Sequence, residues 1–301
     1  MTTLRGMLWT RFRRHRLAVG GALTVAALVV MALLASLVEV VLGVSSTLVD
    51  LQSTMLAPFT GAHLLGTDEL GRDVFARLLH GGRISLAVGV IAALSSALIG
   101  TTLGLLAGYH GGWLDTLLMR LADAMLSIPV LPLLIVLSAV DMQKLLGVRL
   151  VEDSHLSSVI QLIVLIVMFG WMTVARLARA AALQLKTLDY VTAARALGAT
   201  NARILLVHIL PGALPPIVVA ATLEVGSNIL YEASLSFLGL GVKPPMPSWG
   251  NMLTNAQDYM YRAPLLALWP GLLIFITVSA FNFLGDGLRD ALDPRQVFKQ
   301  S

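Results

Sequence analysis

Cysteine is absent from this sequence of 301 residues, and charged side chains are scarce. The absence of cysteine excludes a disulfide framework, a thiolate metal site and a cysteine nucleophile. Asp, Glu, Lys and Arg make up only 13% of the residues, against about 25% in an ordinary soluble domain. Hydrophobic residues make up 57%, which also excludes an intrinsically disordered chain. A chain this apolar is predicted to be an integral membrane protein.

The motifs of common hydrolases are missing as well. The sequence contains no GxxxxGK[ST] phosphate loop, no HExxH zinc motif and no GxSxG nucleophile elbow. The six histidines are scattered along the chain and lie outside the apolar runs. We therefore expect no catalytic residues, no metal site and no cofactor in this chain, and an enzyme is the weaker interpretation.

Six apolar runs are long enough to cross a bilayer. A bilayer core of about 30 Å needs about 20 apolar residues in a helix. The runs cover residues 17–38, 84–109, about 117–140, 156–175, 212–231 and 263–285. They lack the strict alternation of barrel strands, so they predict an all-α polytopic membrane protein with six transmembrane helices. The first run is either a cleavable signal peptide or an anchor, and its uncharged length favours an uncleaved anchor.

Basic residues are distributed unevenly between the two sides of the predicted membrane. With the N-terminus inside, 13 Lys and Arg residues fall in inner segments and 7 in outer ones. Because positively charged loops stay on the cytoplasmic side, this bias predicts that both termini are cytoplasmic. The net charge of +4 is interpreted in the same way and not as a sign of nucleic-acid binding.

The spacing of the runs predicts three parts. Residues 1–82 comprise an N-terminal cytoplasmic segment, an anchor helix and an outer loop. Residues 83–290 form a five-helix core with an inner loop at about 184–211, and residues 291–301 form a cytoplasmic tail. Within the core, Gly100, Gly104 and Gly108 form one helical stripe of small residues, which predicts the close approach of another helix.

The long inner loop has the pattern of two short helices joined by a glycine. Ala193 and Ala194 favour helix, and Gly198 breaks it and permits a positive φ. A second short helix from about Asn201 is expected to end before Pro211. This arrangement predicts a compact cytoplasmic protrusion, although a loop that merely happens to be helical fits the composition too.

Two carboxylates and an amide form a polar stripe in the fifth run. Glu224, Asn228 and Glu232 lie at i, i+4 and i+8, on one face of a helix. A carboxylate at membrane depth is unfavourable unless it faces protein or water. The stripe is therefore expected to line a pathway. In the alternative, Glu232 lies at the outer interface and Glu224 is a buried structural residue.

Four motifs in order resemble one transporter family. Ala193-Ala194, then Gly198, then Pro211 at the mouth of a span is similar to the "EAA" coupling loop of ATP-binding-cassette (ABC) importer membrane subunits. GTDELGRD, FLGLGVKPPMPSWG and FNFLGDGLRDALDPR are similar to the C-type permease of the dipeptide/oligopeptide/nickel importers, and begin at Gly66, Phe237 and Phe281. The resemblance covers nearly the whole chain. One departure is Thr192, which stands where the family has an acidic residue and offers only a hydroxyl.

The resemblance implies a type I ABC importer permease fold and a peptide-import function by alternating access in a bacterial inner membrane. It implies that Thr192, Ala193, Ala194, Gly198 and Pro211 couple the chain to the ATPase. The implied partners are a homologous B-type permease, two ABC ATPase subunits that bind ATP and Mg²⁺, an extracytoplasmic substrate-binding protein and the lipid bilayer. No nucleic acid is expected.

Several alternatives remain at this level. The same architecture imports nickel, glutathione or antimicrobial peptides in other members of the family, and the sequence does not name the solute. A secondary transporter would need no ATPase, but inverted repeats are not evident. A purely structural membrane protein would leave the coupling motif unexplained.

Overall fold

The computed structural model describes residues 10–140, 154–254 and 256–292, and the regular elements found there are helices. In chain order they are α1 (Arg16–Leu42), α2 (Val74–His110), α3 (Gly112–Leu126), α4 (Val130–Ser138), α5 (Ser154–Leu185), α6 (Asp189–Ala196), α7 (Asn201–Phe237), α8 (Ala256–Tyr259) and α9 (Leu265–Leu292). Five of these, α1, α2, α5, α7 and α9, are long and apolar enough to span a membrane. The predicted all-α polytopic fold is confirmed, whereas most of the predicted tail, 293–301, lies outside the described residues.

The third predicted span is broken. Helices α3 and α4 meet at an angle of 84°, and they make a sixth span if the bent pair counts as one. Pro129 is the residue before α4, where its missing N–H breaks the hydrogen-bond ladder. Arg179 of α5 fixes the position of α3 through two bonds to Asp115, Nε–Oδ1 at 2.5 Å and Nη2–Oδ2 at 2.7 Å. Arg176 likewise reaches α3, where its Nε and Nη2 both donate to Oδ1 of Asp123.

Helix α2 begins ten residues before the predicted span. Residues 74–79 form the start of α2 and continue directly into the span. Asp73 caps the helix by accepting the N–H of Ala76 at 2.7 Å. With 37 residues, α2 is about 55 Å long and extends beyond a bilayer core of about 30 Å.

The predicted close approach at the glycine stripe is confirmed, and the neighbour is α5. A Cβ added to Gly100 or Gly104 would collide with the carbonyl oxygens of Trp171 or Ala175. A Cβ added to Gly108 would lie 2.7 Å from the oxygen of Arg179. The absence of side chains at these positions therefore allows the two backbones to touch along three turns.

The anchor helix α1 is fastened to the core by one arginine. Arg83 of α2 donates from Nε to the oxygen of Ala32 at 2.5 Å and from Nη2 to that of Leu33 at 2.8 Å. A third bond, 3.0 Å long, reaches the hydroxyl of Ser36. Helix α1 also packs against α9, where Gly21 lies against the backbone at Ala280.

The segment between α1 and α2 is a folded cap built on the GTDELGRD motif. Asp68 is buried, accepts from Arg72 Nε at 2.7 Å and forms an ion pair with Arg77, whose Nε lies 3.2 Å from Oδ2. Arg77 also donates to the oxygen of Ser46 at 3.1 Å. Trp249, from the loop after α7, is 2% exposed and donates its indole N–H to the oxygen of Leu78 at 2.9 Å. This end of the bundle is called the cap end below.

Helix α7 corrects one prediction about the inner loop. The helix that starts at Asn201 does not end before Pro211 but continues to Phe237. Residues Ile204–Ile209 adopt π-helical geometry just before Pro211. Because proline lacks an N–H, a regular α-helix would lose a bond here, and the wider π-helical turn accommodates that loss. The inner loop thus leads into the span without a break.

Candidate functional site

Residues 187–203 form a two-helix projection, which is called the protrusion below. Helix α6 is only eight residues long and ends at Ala196, with Leu197 as its C-cap residue. Gly198 follows with φ +81°, a left-handed conformation that glycine adopts without strain. Thr200 then starts α7 by accepting the N–H of Arg203 at 3.4 Å. The predicted helix–glycine–helix pattern is therefore what the structure contains, with Gly198 at the turn.

The protrusion has one buried face and one exposed face. Val191 and Ile204 are fully buried against α5 and α7. Thr192 and Ala193 are exposed, and Ala194 is half-buried between the two faces. Leu197, just before the turn, is 88% exposed. An exposed leucine beside a positive-φ glycine makes an apolar tip that a partner protein can cover.

Contacts with α2 fix the base of the protrusion. Tyr109, at the end of α2, donates its hydroxyl to Oδ1 of Asn201 at 2.8 Å. The guanidinium carbon of Arg195 lies 5.7 Å from the centre of the same ring, within cation–π range. Lys186 donates from Nζ to the oxygen of Gly108 at 2.7 Å. This bond lies near the C-terminus of α2, where the helix dipole favours a cation. The protrusion is thus attached to α2 as well as to α5 and α7.

Thr192 and Pro211 differ in their surroundings. The hydroxyl of Thr192 donates to the oxygen of Leu188, one turn back in the chain, at 3.3 Å. Its hydroxyl is therefore used within the helix, and threonine does not carry the charge that an acidic residue would carry at this position. Pro211 is exposed and lies within α7, directly after the π-helical turn.

A cavity of about 1020 Å³ lies beside the protrusion and runs along α7. Its walls come from α3, α4, α5, α7 and the last turns of α9, and most of its side chains are apolar. Along α7 the lining extends from Gly212 to Tyr231, about 28 Å at 1.5 Å per residue. The polar and charged lining residues are Thr173, Gln184, Ser227, Asn228, Tyr231, Glu224 and Arg289.

The predicted stripe is divided by the structure. Glu224 and Asn228 line the cavity, but Glu232 does not. Glu232 is fully buried and accepts the hydroxyl hydrogens of Ser85 at 2.8 Å and Ser236 at 2.7 Å. The expectation that Glu232 lines a pathway is corrected for this structure, because α2 covers its side chain. Asn228 is 1% exposed, and its amide approaches the oxygen of Gly89 at 3.5 Å.

Two family models match the chain. One, described as the binding-protein-dependent transport system inner membrane component, matches residues 100–297. The other, described as the N-terminal TM domain of oligopeptide transport permease C, matches residues 3–40. The chain belongs to the binding-protein-dependent transport permease family. The predicted C-type membrane subunit of an ABC importer is confirmed, and its place is the bacterial inner membrane.

The most informative relatives of this permease are similar over nearly their whole length. It is 44% identical over 287 residues to the glutathione transport system permease protein GsiD of Pectobacterium atrosepticum. The aligned residues make up 95% of this chain and 90% of the relative. It is 40% identical over 286 residues to the dipeptide transport system permease protein DppC of Alkalihalophilus pseudofirmus, covering 95% and 88%.

The permease fold is also that of a solved importer. The MetNI methionine ABC transporter in an inward-facing conformation matches with a TM-score of 0.56 and 24% identity. The match covers 72% of this chain and 96% of the other. At this identity the likeness concerns the fold alone, and it confirms the predicted importer permease architecture.

Three residues at the protrusion and the cavity were not predicted as site residues. Leu197 at the tip of the protrusion precedes Gly198, and that neighbour was the available signal. Gly170 of α5 lies against Glu224, and a lone glycine in an apolar run gives no such signal. Arg289 reaches the cavity from α9. The sequence gives no signal for this, because α9 lies beside α7 only in the folded chain.

Proposed function

We propose that this chain is the C-type membrane subunit of an ATP-driven peptide importer, with ATP hydrolysis on separate subunits. The observation that carries the proposal is the protrusion, a compact element with an apolar tip next to a long cavity. Peptides are proposed as the solute because the relatives of high identity are named for glutathione and for dipeptides.

The protrusion is proposed to face the cytoplasm and to fit the ATPase. Its exposed residues, Thr192, Ala193 and Leu197, would form the contact, while Gly198 sets the turn and Ala194 packs behind it. Both chain termini then lie on the cytoplasmic side, as the distribution of basic residues predicts. Closure of two ATPase subunits on ATP would push this contact toward the membrane.

The cavity is proposed to be one wall of the substrate pathway. Helix α7 carries Asn201 in the protrusion and Glu224 in the cavity, about 35 Å apart along the helix. Movement of the protrusion would therefore move the cavity wall as well. Pro211, beside the π-helical turn, is the position in α7 where the helix is proposed to flex.

The remaining partners follow from this role. A homologous B-type permease would complete the pathway, and an extracytoplasmic binding protein would deliver substrate to the cap end. ATP and Mg²⁺ would be bound by the ATPase subunits, so this chain is proposed to have no catalytic site. The proposed parts of the chain are residues 1–82 as N-terminal cytoplasmic segment, anchor and outer loop, 83–290 as core and 291–301 as tail, with residues 74–82 also forming the start of α2.

Substitution of the turn glycine tests the coupling role. In Gly198→Trp an added Cβ meets open space, but the residue is strained by its φ of +81° and adds bulk at the tip. We expect the variant to insert normally and to lower dipeptide uptake about tenfold or more relative to ATP hydrolysis. Uptake of a radiolabelled dipeptide and phosphate release are measured in proteoliposomes containing the complete complex.

Gly43→Trp is the matched control for this experiment. Gly43 also has a positive φ, +65°, and no heavy atom within 4 Å of an added Cβ, but it lies at the cap end. It should reduce the uptake-to-hydrolysis ratio little. Wild-type uptake in Gly198→Trp, or an equal loss in both variants, would refute the coupling role of the protrusion.

A further inference from the structure

We propose that Glu224 is the site that receives the protonated amino group of the substrate inside the membrane. The inference rests on the proposed peptide-import function and adds the chemical class that the pathway selects, a short peptide or similar molecule with a free amine. It is carried by three observations, namely the charges of the cavity, the slot that holds the Glu224 side chain and the absence of a partner for one of its oxygens.

The charges of the cavity are few and lie apart. Among the described lining residues Glu224 is the one carboxylate and Arg289 the one cation. Leu223, the neighbour of Glu224 in the chain, lies against Gly285 of α9. Arg289 comes four residues after Gly285, so its backbone is about 6 Å closer to the protrusion than Gly285 is. No ion pair joins Glu224 to a basic side chain within the described part of the chain. Within those residues the Glu224 carboxylate therefore has no basic partner.

A small slot between α2 and α5 holds the Glu224 side chain. A Cβ added to Gly170 would collide with Oε1 of Glu224 and with Oγ of Ser96. Glycine at this position therefore leaves the space that the carboxylate occupies. Glu224 lines the wall of the cavity, and Ser227 and Asn228, which line it too, follow within about one turn of α7.

One oxygen of this carboxylate is unsatisfied. Oε2 of Glu224 and Oγ of Ser96 are both buried, and neither has a hydrogen-bond partner of acceptable geometry among the described residues. A turn of the Ser96 hydroxyl can supply one donor, but it cannot neutralise the charge. The ionised form of a partly buried carboxylate is unfavourable without a counter-charge, so a cationic ligand group that pairs with Glu224 stabilises that form.

The surroundings favour an ammonium group over a bare metal ion. Groups of three or more His, Cys, Asp or Glu able to hold a metal are not found in the described residues. Divalent transition metals require several such ligands, whereas an ammonium group is satisfied by one carboxylate and neighbouring hydroxyl or amide oxygens. Ser96 shares the slot of Glu224, and Ser227 and Asn228 line the same cavity within one turn of α7, so this part of the wall carries one carboxylate together with hydroxyl and amide oxygens.

The charge preference can be measured at a cysteine beside Glu224. The chain has no cysteine of its own, so Ser227→Cys places a single thiol in the cavity wall. The complete complex is treated with three thiosulfonate reagents, one carrying an ammonium, one a sulfonate and one neutral, with and without ATP. Modification is read from the intact mass of this chain. We expect the cationic reagent to react about tenfold faster than the anionic one, after correction for their rates with a free thiol.

Changes at Glu224 assign the preference. Glu224→Gln in the Ser227→Cys background should abolish the preference, and Glu224→Asp should keep most of it. Asp286→Asn removes one negative charge from an exposed position of α9 outside the cavity lining and is expected to change nothing. Alanyl-alanine should slow the cationic reagent, N-acetyl-alanyl-alanine should not, and the protection should vanish in Glu224→Gln.

The outcomes separate the two levels of the proposal. A cysteine at 227 that is inert to all three reagents in every nucleotide state would overturn the pathway and with it the proposed function. A reactive cysteine with no cation preference, or with one that Glu224→Gln leaves unchanged, would overturn only the amine site. Equal protection by the acetylated dipeptide would also overturn it.

Discussion

At the scale of single residues, Glu232 shows how a buried carboxylate is accommodated in this permease. Its two oxygens accept from Ser85 and Ser236, and the hydroxyl of Ser85 in turn accepts the backbone N–H of Trp249 at 3.2 Å. Ser236 likewise accepts the N–H of Val242 at 3.0 Å. The carboxylate thereby joins α2, α7 and the loop after α7, and its role is structural.

Removal of one of these hydroxyls should destabilise the complex. Ser236→Ala leaves Glu232 Oε1 and the N–H of Val242 without a partner, and an unsatisfied buried group costs about 1–3 kcal/mol. We expect a lower thermal unfolding midpoint for the detergent-solubilised complex. Ser234→Ala, two residues away, removes only a bond from the hydroxyl to the oxygen of Leu230 in the same helix. Equal midpoints for the two variants would contradict the structural role of Glu232.

The polar stripe illustrates what residue spacing can predict. The positions of Glu224, Asn228 and Glu232 on one helical face follow from the sequence, and two of them line the cavity. The third is covered by Ser85, which is 147 residues away along the chain. Burial by such a distant residue is a tertiary property, so no local pattern in α7 separates Glu232 from the other two.

At the scale of the helices, the pairing of α2 with α5 is set by the glycine stripe. The stripe predicted a close neighbour from its spacing alone, and the structure identifies that neighbour. The ion pairs of Asp115 with Arg179 and Asp123 with Arg176 then place α3 on the same helix. The two partners of each pair are 53 or more residues apart along the chain, so spacing in the sequence does not show which residues pair.

A larger side chain in the stripe should separate α2 from α5. Gly104→Leu would force the new side chain into the oxygen of Ala175 and Cβ of Ala178, and overpacking of a tight contact costs about 1–3 kcal/mol or more. We expect less folded complex and a lower unfolding midpoint. The matched variant is Gly271→Leu in α9, where an added Cβ meets no heavy atom within 4 Å. If both variants purify with equal yield and stability, the stripe is not a packing contact.

Helix α7 shows the limit of predicting helix ends from helix-breaking residues. Pro211 was expected to follow the end of the inner helix, and that expectation was wrong because a π-helical turn precedes the proline and the helix continues to Phe237. Proline signals a missing N–H and does not specify whether the chain stops, kinks or widens to accommodate it. The consequence is functional, since an unbroken helix connects the protrusion to the cavity.

At the scale of the whole molecule, the permease has a cap, a membrane cavity and a protrusion in series. The cap fixes α1, α2 and the loop after α7 at one end through Asp68 and Trp249. The protrusion lies at the other end, attached to α2 through Tyr109 and continuous with α7. The five long spans and the family were predictable because apolar length and ordered motifs are local signals, whereas the predicted third span is the bent pair α3 and α4. The cavity was not predictable, because five helices, α3, α4, α5, α7 and α9, build it.

The contact between the protrusion and the ATPase is the central claim, and cross-linking tests it most directly. Leu197→Cys places one thiol at the 88% exposed tip, and Leu51→Cys places one on the cap at 72% exposure. Each complex is purified, treated with a short lysine-to-thiol cross-linker and analysed by mass spectrometry. The account predicts that Leu197→Cys links to an ATPase subunit and that Leu51→Cys does not. A tip cysteine that links to no ATPase subunit, or a cap cysteine that links equally well, would contradict it.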